Sequence, residues 1–245
     1  MKVLVLVFSF AMPVVAWFAQ RGAFGPDNGT ISAQYPTLIV AAGYAFSIWG
    51  VIFLLDAVFG IWQLLPDQAA DPVLRRIRPA AAAGFALTTG WMIVFPQEAF
   101  WLALLIIWLD LACLLYCAAL LGRSESRGMR RWIALAPLSL HAGWLSLAAL
   151  LNLAQVIVAY RLLPTDEMLG WSLPLLLAAA SVLLFFNHRA QGNAAFALAG
   201  VWGLVAVYVR QSGSNLAGAP VTATVAAFLA ALLALQTGWL LLRRR

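Results

Sequence analysis

The sequence predicts an all-α polytopic membrane protein with about eight transmembrane helices. Three observations predict it. Hydrophobic residues make up 64% of the 245 positions and charged residues only 10%, whereas a soluble domain is about half apolar and about a quarter charged. Apolar side chains this abundant cannot fit inside one small core and must face lipid. Apolar runs close to the ~20 residues that cross a bilayer recur along the chain, separated by short polar or Gly/Pro-bearing stretches. The third observation is charge placement: 15 Lys and Arg stand against 9 Asp and Glu, and they gather in short loops and at the C-terminus. That is where cytoplasmic anchors belong. The same observations exclude a soluble globular protein, a disordered tail and a free nucleic-acid binder, despite the net charge of +6.

The spans run roughly over residues 3–19, 39–64, 79–95, 99–122, 132–159, 169–187, 194–210 and 220–242. The first shares features with a signal peptide: Met1-Lys2, an apolar run from Val3 to Ala11, and a cleavage-like Ala16-Trp17-Phe18-Ala19. Trp17 and Phe18 stand where small residues are preferred, which favours a retained helix. The third span is short, and Pro96-Gln97-Glu98 turns tightly into the fourth. The eighth opens on small residues. The first loop, residues 20–38, is the longest and holds the turn formers Gly22, Gly25-Pro26, Asp27-Asn28-Gly29 and Pro36. Asn28-Gly29-Thr30 matches a glycosylation acceptor, a pattern common by chance. Cys113 and Cys117 lie within one apolar run and make no disulfide framework.

Orientation follows from the loops. With the N-terminus inside, the inner segments hold Lys2; Arg75, Arg76 and Arg78; Arg123, Arg127, Arg130 and Arg131; Arg189; and Arg243, Arg244 and Arg245, which is 12 of the 15 basic residues. Only Arg21, Arg161 and Arg210 remain outside. Both termini are therefore expected in the cytoplasm, with the chain in the cell inner membrane.

Two acids fall well inside the spans, Asp56 and Asp110. A carboxylate at the bilayer centre costs about 2.5–3.5 kcal/mol on insertion scales, so each should face the bundle interior and find a partner. On the second span Trp49, Phe53, Asp56, Gly60 and Gln63 recur at steps of three or four and share one face. That face either lines a ligand or makes a helix contact in which Asp56 accepts a hydrogen bond. On the fifth span His141, Trp144, Ala148, Asn152 and Gln155 form a similar stripe. Asn152 and Gln155 suit interhelical hydrogen bonding, worth about 0.6 kcal/mol each. His141 suits a proton carrier, an iron-porphyrin ligand, or a plain hydrogen-bonded core residue. The fourth span sets Asp110, Cys113 and Cys117 at helical spacing; with no flanking His this is a weak metal signal and no metal site is assigned. Thr88, Thr89 and Gly90 before Trp91 permit close helix approach.

Of the 11 tryptophans, Trp17, Trp62, Trp101, Trp132, Trp171 and Trp239 sit near span ends, as an aromatic belt would. Trp49, Trp91, Trp108, Trp144 and Trp202 sit deeper, and deep indoles on separate helices suit a flat hydrophobic ligand. Gly-rich phosphate loops, His-Glu-x-x-His and Gly-x-Ser-x-Gly are all missing, so no catalytic residue is assigned.

Two stretches carry a resemblance. Ala42-Gly43-Tyr44-Ala45-Phe46-Ser47-Ile48-Trp49-Gly50-Val51-Ile52-Phe53 resembles the second helix of the TspO/MBR family, the tryptophan-rich sensory proteins. Trp144-x-x-Leu147-Ala148-x-x-Leu151-Asn152 is similar to that family's fifth-helix motif. The resemblance covers about residues 1–159 and implies a TspO-like five-helix bundle, with residues 160–245 adding three transmembrane helices. It implies a pocket for a porphyrin- or sterol-like molecule under the first loop, and a homodimer. The pocket candidates it gives are Tyr44, Phe46, Trp49, Trp91, Trp144, Ala148 and Asn152. The family's Pro between the second-helix Phe and Trp is absent, the Phe46-to-Trp49 spacing is one residue shorter, and Thr88 or Thr89 replaces the Asn before the third-helix Trp.

Two functions follow as expectations. One is a membrane protein that senses or transports a flat hydrophobic small molecule, porphyrin or haem included. Its affinity would come from Trp49, Trp91 and Trp144, and its orientation from Asn152, Asp56 and His141. The other is an intramembrane enzyme acting on a lipid or tetrapyrrole through Asp56 or Asp110 with His141. A scaffold with a filled interior is the third alternative.

Overall fold

The computed structural model describes residues 1–124 and 128–243. Arg127, Arg244 and Arg245, three of the basic residues in the orientation argument, lie outside the described residues. Ten helices follow one another among the described residues: α1 (Lys2–Gln20), α2 (Asn28–Gln34), α3 (Ile48–Trp62), α4 (Pro66–Ala69), α5 (Pro72–Val94), α6 (Phe100–Arg123), α7 (Ala136–Ala159), α8 (Leu169–Arg189), α9 (Ala194–Ser212) and α10 (Ala219–Leu242). No strand occurs among the described residues. Among the described residues eight helical segments are long and apolar enough to cross a membrane, in agreement with the eight apolar runs of the sequence. The chain is an all-α, multi-pass membrane protein.

Two boundaries differ from the sequence expectation. The second span was expected from residue 39, yet α3 begins at Ile48 after a 3₁₀ turn, Gly43–Ser47. Ile39, Val40 and Ala41 are apolar and buried in the turn and irregular segment that precedes it. Hydropathy cannot tell burial in protein from burial in lipid. The third span was expected from residue 79, but α5 starts at Pro72. Asp71 caps it, its Oδ1 accepting from the Val73 and Leu74 amides at 2.8 and 3.0 Å. Such a cap is worth about 0.5–2 kcal/mol, and Pro72 takes the first helical position, where its missing N–H has no consequence. The arginines at 75, 76 and 78 hid this extra turn from a hydropathy reading.

Chain contacts divide the protein into two compact units. The first comprises Met1–Asp27 and Ser47–Ala142, and the second Asn28–Phe46 and Gly143–Arg245. The units interleave along the chain, and α7 contributes its first residues, through Ala142, to one and the remainder to the other.

In the first unit α1 packs on α3 and α5, and α5 on α6. Gly60 makes the α1–α3 approach possible, since a Cβ there would collide with the Ser9 side chain. The Gln63 amide donates to the Lys2 carbonyl at 3.0 Å. Its Oε1 accepts from Arg78 Nε at 2.8 Å. The Arg78 guanidinium, 2% exposed, also donates to the carbonyls of Gln63, Gln68 and Ala69 at 3.1, 2.9 and 3.1 Å. One arginine thus holds the loop that closes α3. Asp71 meets Arg130 at 2.7 Å. The α5–α6 turn is the tight one expected: a 3₁₀ turn, Phe95–Gln97, then Glu98 in the left-handed region at φ 60°.

In the second unit the segment before α3 is tied to α9. The Ala42 amide donates to the Ala206 carbonyl at 3.0 Å, and the Gln211 amide donates to the Thr37 and Val40 carbonyls at 3.2 Å each. Trp202 Nε1 donates to the Ala45 carbonyl at 3.0 Å. Asn187 on α8 donates to Gln236 and Thr237 on α10 at 2.7 and 3.0 Å. Gly200 lets Leu183 and Leu233 close on α9, and Gly143 lies against the Phe196 carbonyl.

Candidate functional site

The inward face of α3 is as its spacing implies. Trp49, Phe53, Asp56, Gly60 and Gln63 are all buried. In the first unit three helices each deliver one polar side chain to the start of α7. Asp56 Oδ2 lies 2.8 Å from His141 Nδ1. On the other side of the ring, His141 Nε2 lies 3.3 Å from Thr88 Oγ1. The Thr88 hydroxyl donates to Asp110 Oδ2 at 2.6 Å. The result is a continuous chain, Asp56–His141–Thr88–Asp110, whose members are 0–1% exposed. Asp56 Oδ1 and Asp110 Oδ1, at its two ends, have no hydrogen-bond partner among the described residues. Gly84 brings α5 close here, for a Cβ at that position would stand 3.1 Å from Asp110 Oδ1.

Aromatic rings wall this chain. Phe85 lies parallel to the His141 imidazole, centroids 6.3 Å apart and planes 10° off, and Trp49 meets it edge-on at 5.5 Å. From Trp49 a row of rings continues: Phe53 stacked at 5.2 Å, Trp91 tilted at 6.3 Å, then Phe95 on Trp91 at 4.5 Å and Phe100 on Phe95 at 5.7 Å. Trp49 and Trp91 are 6% and 4% exposed, so both indoles turn into the unit.

The remaining candidates belong to the second unit. Trp144 is buried and meets Phe46 edge-on at 6.3 Å. Tyr44 is half-exposed and meets Trp202 at 5.4 Å. The Asn152 side chain is buried and donates to the Ala148 carbonyl one turn earlier, at 3.2 Å, and Ala148 itself is partly exposed. Gln155 donates to Ser32 at 3.3 Å. Trp62, at the end of α3, is buried, and Trp108, within α6, is exposed on its helix. A cavity of 380 Å³ lies away from the aromatic row, lined by Pro72, Val73, Arg76, Leu120, Arg123 and Ser124.

Sequence reading named Asp56, Asp110 and His141 but had no means of bringing them together. It also read Thr88 only as a small packing residue. The available signal was its position three residues before Trp91, on the same helical face. Phe85, a further turn back, shares that face.

The fold and this interior define a class: a multi-pass α-helical membrane protein with inward indoles and an ionisable core. Within that class the chain belongs to the TSPO-like protein family, whose model matches residues 2–239. The match takes in the last three spans as well as the first five. The chain is also similar to a probable peptidoglycan glycosyltransferase FtsW of Allochromatium vinosum, 30% identical over 177 residues. That alignment covers 70% of this chain and 43% of the FtsW protein, so the chain spans less than half of that relative's length. No solved structure matches.

Proposed function

We propose that this TSPO-like protein binds a flat hydrophobic small molecule, porphyrin- or sterol-like, against the Trp49–Trp91 row, in a sensory or transport role. The observation that carries the reading is the inward convergence of two indoles from separate spans. A planar guest sandwiched between two rings holds them about 7 Å apart, two carbon contact distances of about 3.5 Å. Trp49 and Trp91, tilted by 34° with centroids 6.3 Å apart, lie closer than that and must part to admit the guest. Burial of the guest supplies most of the affinity, at about 25 cal/mol per Å² of apolar surface. His141, edge-on to Trp49, and its partner Asp56 supply polarity at one end. Phe46, Trp144, Ala148, Asn152 and Tyr44 belong to the second unit, and a ligand-binding role for them rests on the family resemblance alone. The proposed setting is the inner membrane with both termini cytoplasmic, the chain acting as a homodimer.

Tryptophan fluorescence during titration with protoporphyrin tests this. Saturable quenching is expected, weakened at least tenfold in affinity by Trp49→Ala or Trp91→Ala, about 1.4 kcal/mol. Absence of saturable quenching overturns the reading.

One observation favours a second reading. Of the groups proposed for intramembrane catalysis, Asp56 is within hydrogen-bond distance of His141, and Asp110 is linked to it through the Thr88 hydroxyl. An enzyme acting on a lipid or tetrapyrrole would lose turnover in Asp56→Asn and His141→Ala while retaining the bound molecule. A pure binder would return the tetrapyrrole unchanged from wild-type protein.

A further inference from the structure

We propose that Asp56, His141, Thr88 and Asp110 form a reversible relay that carries one proton between two carboxyl groups inside the membrane-spanning part of the first unit. The geometry supplies every link: 2.8 Å from Asp56 to His141, 3.3 Å from His141 to Thr88, and 2.6 Å from Thr88 to Asp110. A neutral imidazole has one donor nitrogen and one acceptor, and a hydroxyl both donates and accepts. The four groups can therefore be satisfied in two opposite senses. In the first, the Asp56 carboxyl O–H donates to His141 Nδ1, Nε2–H donates to Thr88 Oγ1, and the Thr88 O–H donates to the Asp110 carboxylate. In the second, every bond is reversed.

The step between them balances. Asp56 Oδ2 gives its proton to His141 Nδ1. His141 Nε2 gives its proton to Thr88 Oγ1. Thr88 gives its own proton to Asp110 Oδ2. Three O–H or N–H bonds break and three form. The cluster keeps a net charge of −1 throughout, so no new charge is created in the low-dielectric interior. That constancy is what a buried relay needs, because an isolated second charge would have to be desolvated. A fixed ion pair of Asp56 with a protonated His141 would instead leave Asp110 as an additional buried carboxylate, held by the Thr88 hydroxyl.

The surroundings fit this role. Phe85 and Trp49 cover the imidazole. On α6 the other titratable groups of this stretch are Cys113, Tyr116 and Cys117; Tyr116 is exposed, and the Cys117 thiol turns to the Ile77 carbonyl at 3.7 Å. On α1, Ser9 bonds its own helix at the Leu6 carbonyl. The chain's ends are Asp56 Oδ1 and Asp110 Oδ1, the two oxygens without a partner among the described residues. Proton entry and exit by water are placed there. Trp49 links the relay to the proposed ligand row, and only that link rests on the proposed function.

Nitrogen-15 labelling of histidine in the full-length protein tests the relay without any ligand. The chain has two histidines. His188 is exposed, and His188→Gln identifies its signals. The expected His141 spectrum is that of a neutral imidazole averaged between its two tautomers. Thr88→Val, which keeps shape and removes the hydroxyl, should collapse it to one tautomer; Thr88→Ser should restore the averaging. Infrared difference spectra should show a protonated carboxyl that loses one component in Asp56→Asn and the other in Asp110→Asn. A doubly protonated His141, or a single tautomer unchanged by Thr88→Val, overturns the relay. Failure of protoporphyrin to bind would count against the proposed function and leave these spectra unaffected.

Discussion

His141 shows how much one side chain settles in a lipid-embedded interior. Its ring touches partners from α3 and α5 and is covered by two aromatic residues. Removing one member of a buried hydrogen-bonded pair strands the other, at a cost of about 1–3 kcal/mol, which exceeds what the pair contributes when intact. His141→Ala is therefore expected to lower thermal stability in detergent by an amount in that range. His141→Gln, which can still hydrogen-bond Asp56, should lose clearly less. Equal losses would mean that the ring's packing, rather than its pairing, dominates. Arg78 makes the complementary point. Its planar fork reaches four oxygens, an arrangement that a lysine's single ammonium cannot reproduce. Sequence reading placed Arg78 among the cytoplasmic anchors, because a charge near a span end looks the same whether it meets solvent or folds back on backbone carbonyls.

At the scale of helices, small residues set which elements touch. Gly60 and Gly50 stand on the same helix, α3, yet a Cβ at Gly60 collides with Ser9 whereas nothing lies within 4 Å of one at Gly50. Gly60→Leu is expected to detach α1 and destabilise the first unit by about 1–3 kcal/mol or more, as overpacking does. Gly50→Leu should be close to neutral. Unfolding midpoints of the two variants in the same detergent would check this, and a neutral Gly60→Leu would contradict the α1–α3 packing. Gln63 and Gly60 tie α1 to α3 in that packing. The segment from Thr37 to Ala45 is bonded to α9 through Gln211, Trp202 and Ala206. A helix beyond the motifs that first suggested the family therefore holds the segment leading into α3.

For the whole molecule, the prediction concerns topology. Eight spans with both termini inside place most basic residues on one side, and a reporter fused after residue 245 should be active only in the cytoplasm. Activity outside alone would invert the arrangement. The two compact units cut across the chain order, so neither is a continuous stretch of sequence. Hydrophobicity, length and charge asymmetry are properties of each segment by itself. They were enough to read the number of spans, the tight turn at Pro96 and the inward face of α3, while the family was read from the motif resemblance of residues 42–53 and 144–152. Which inward face meets which is a property of pairs of helices, and no local pattern encodes it. Thr88 lies 22 residues from Asp110 and 53 from His141. Their meeting depends on the close approach that Gly84 allows and on an interior in which a carboxylate must find a donor. The buried Ile39–Ala41 and the folded-back Arg78 escaped a linear reading for the same reason: composition records what a side chain prefers, and packing alone determines where that preference is met.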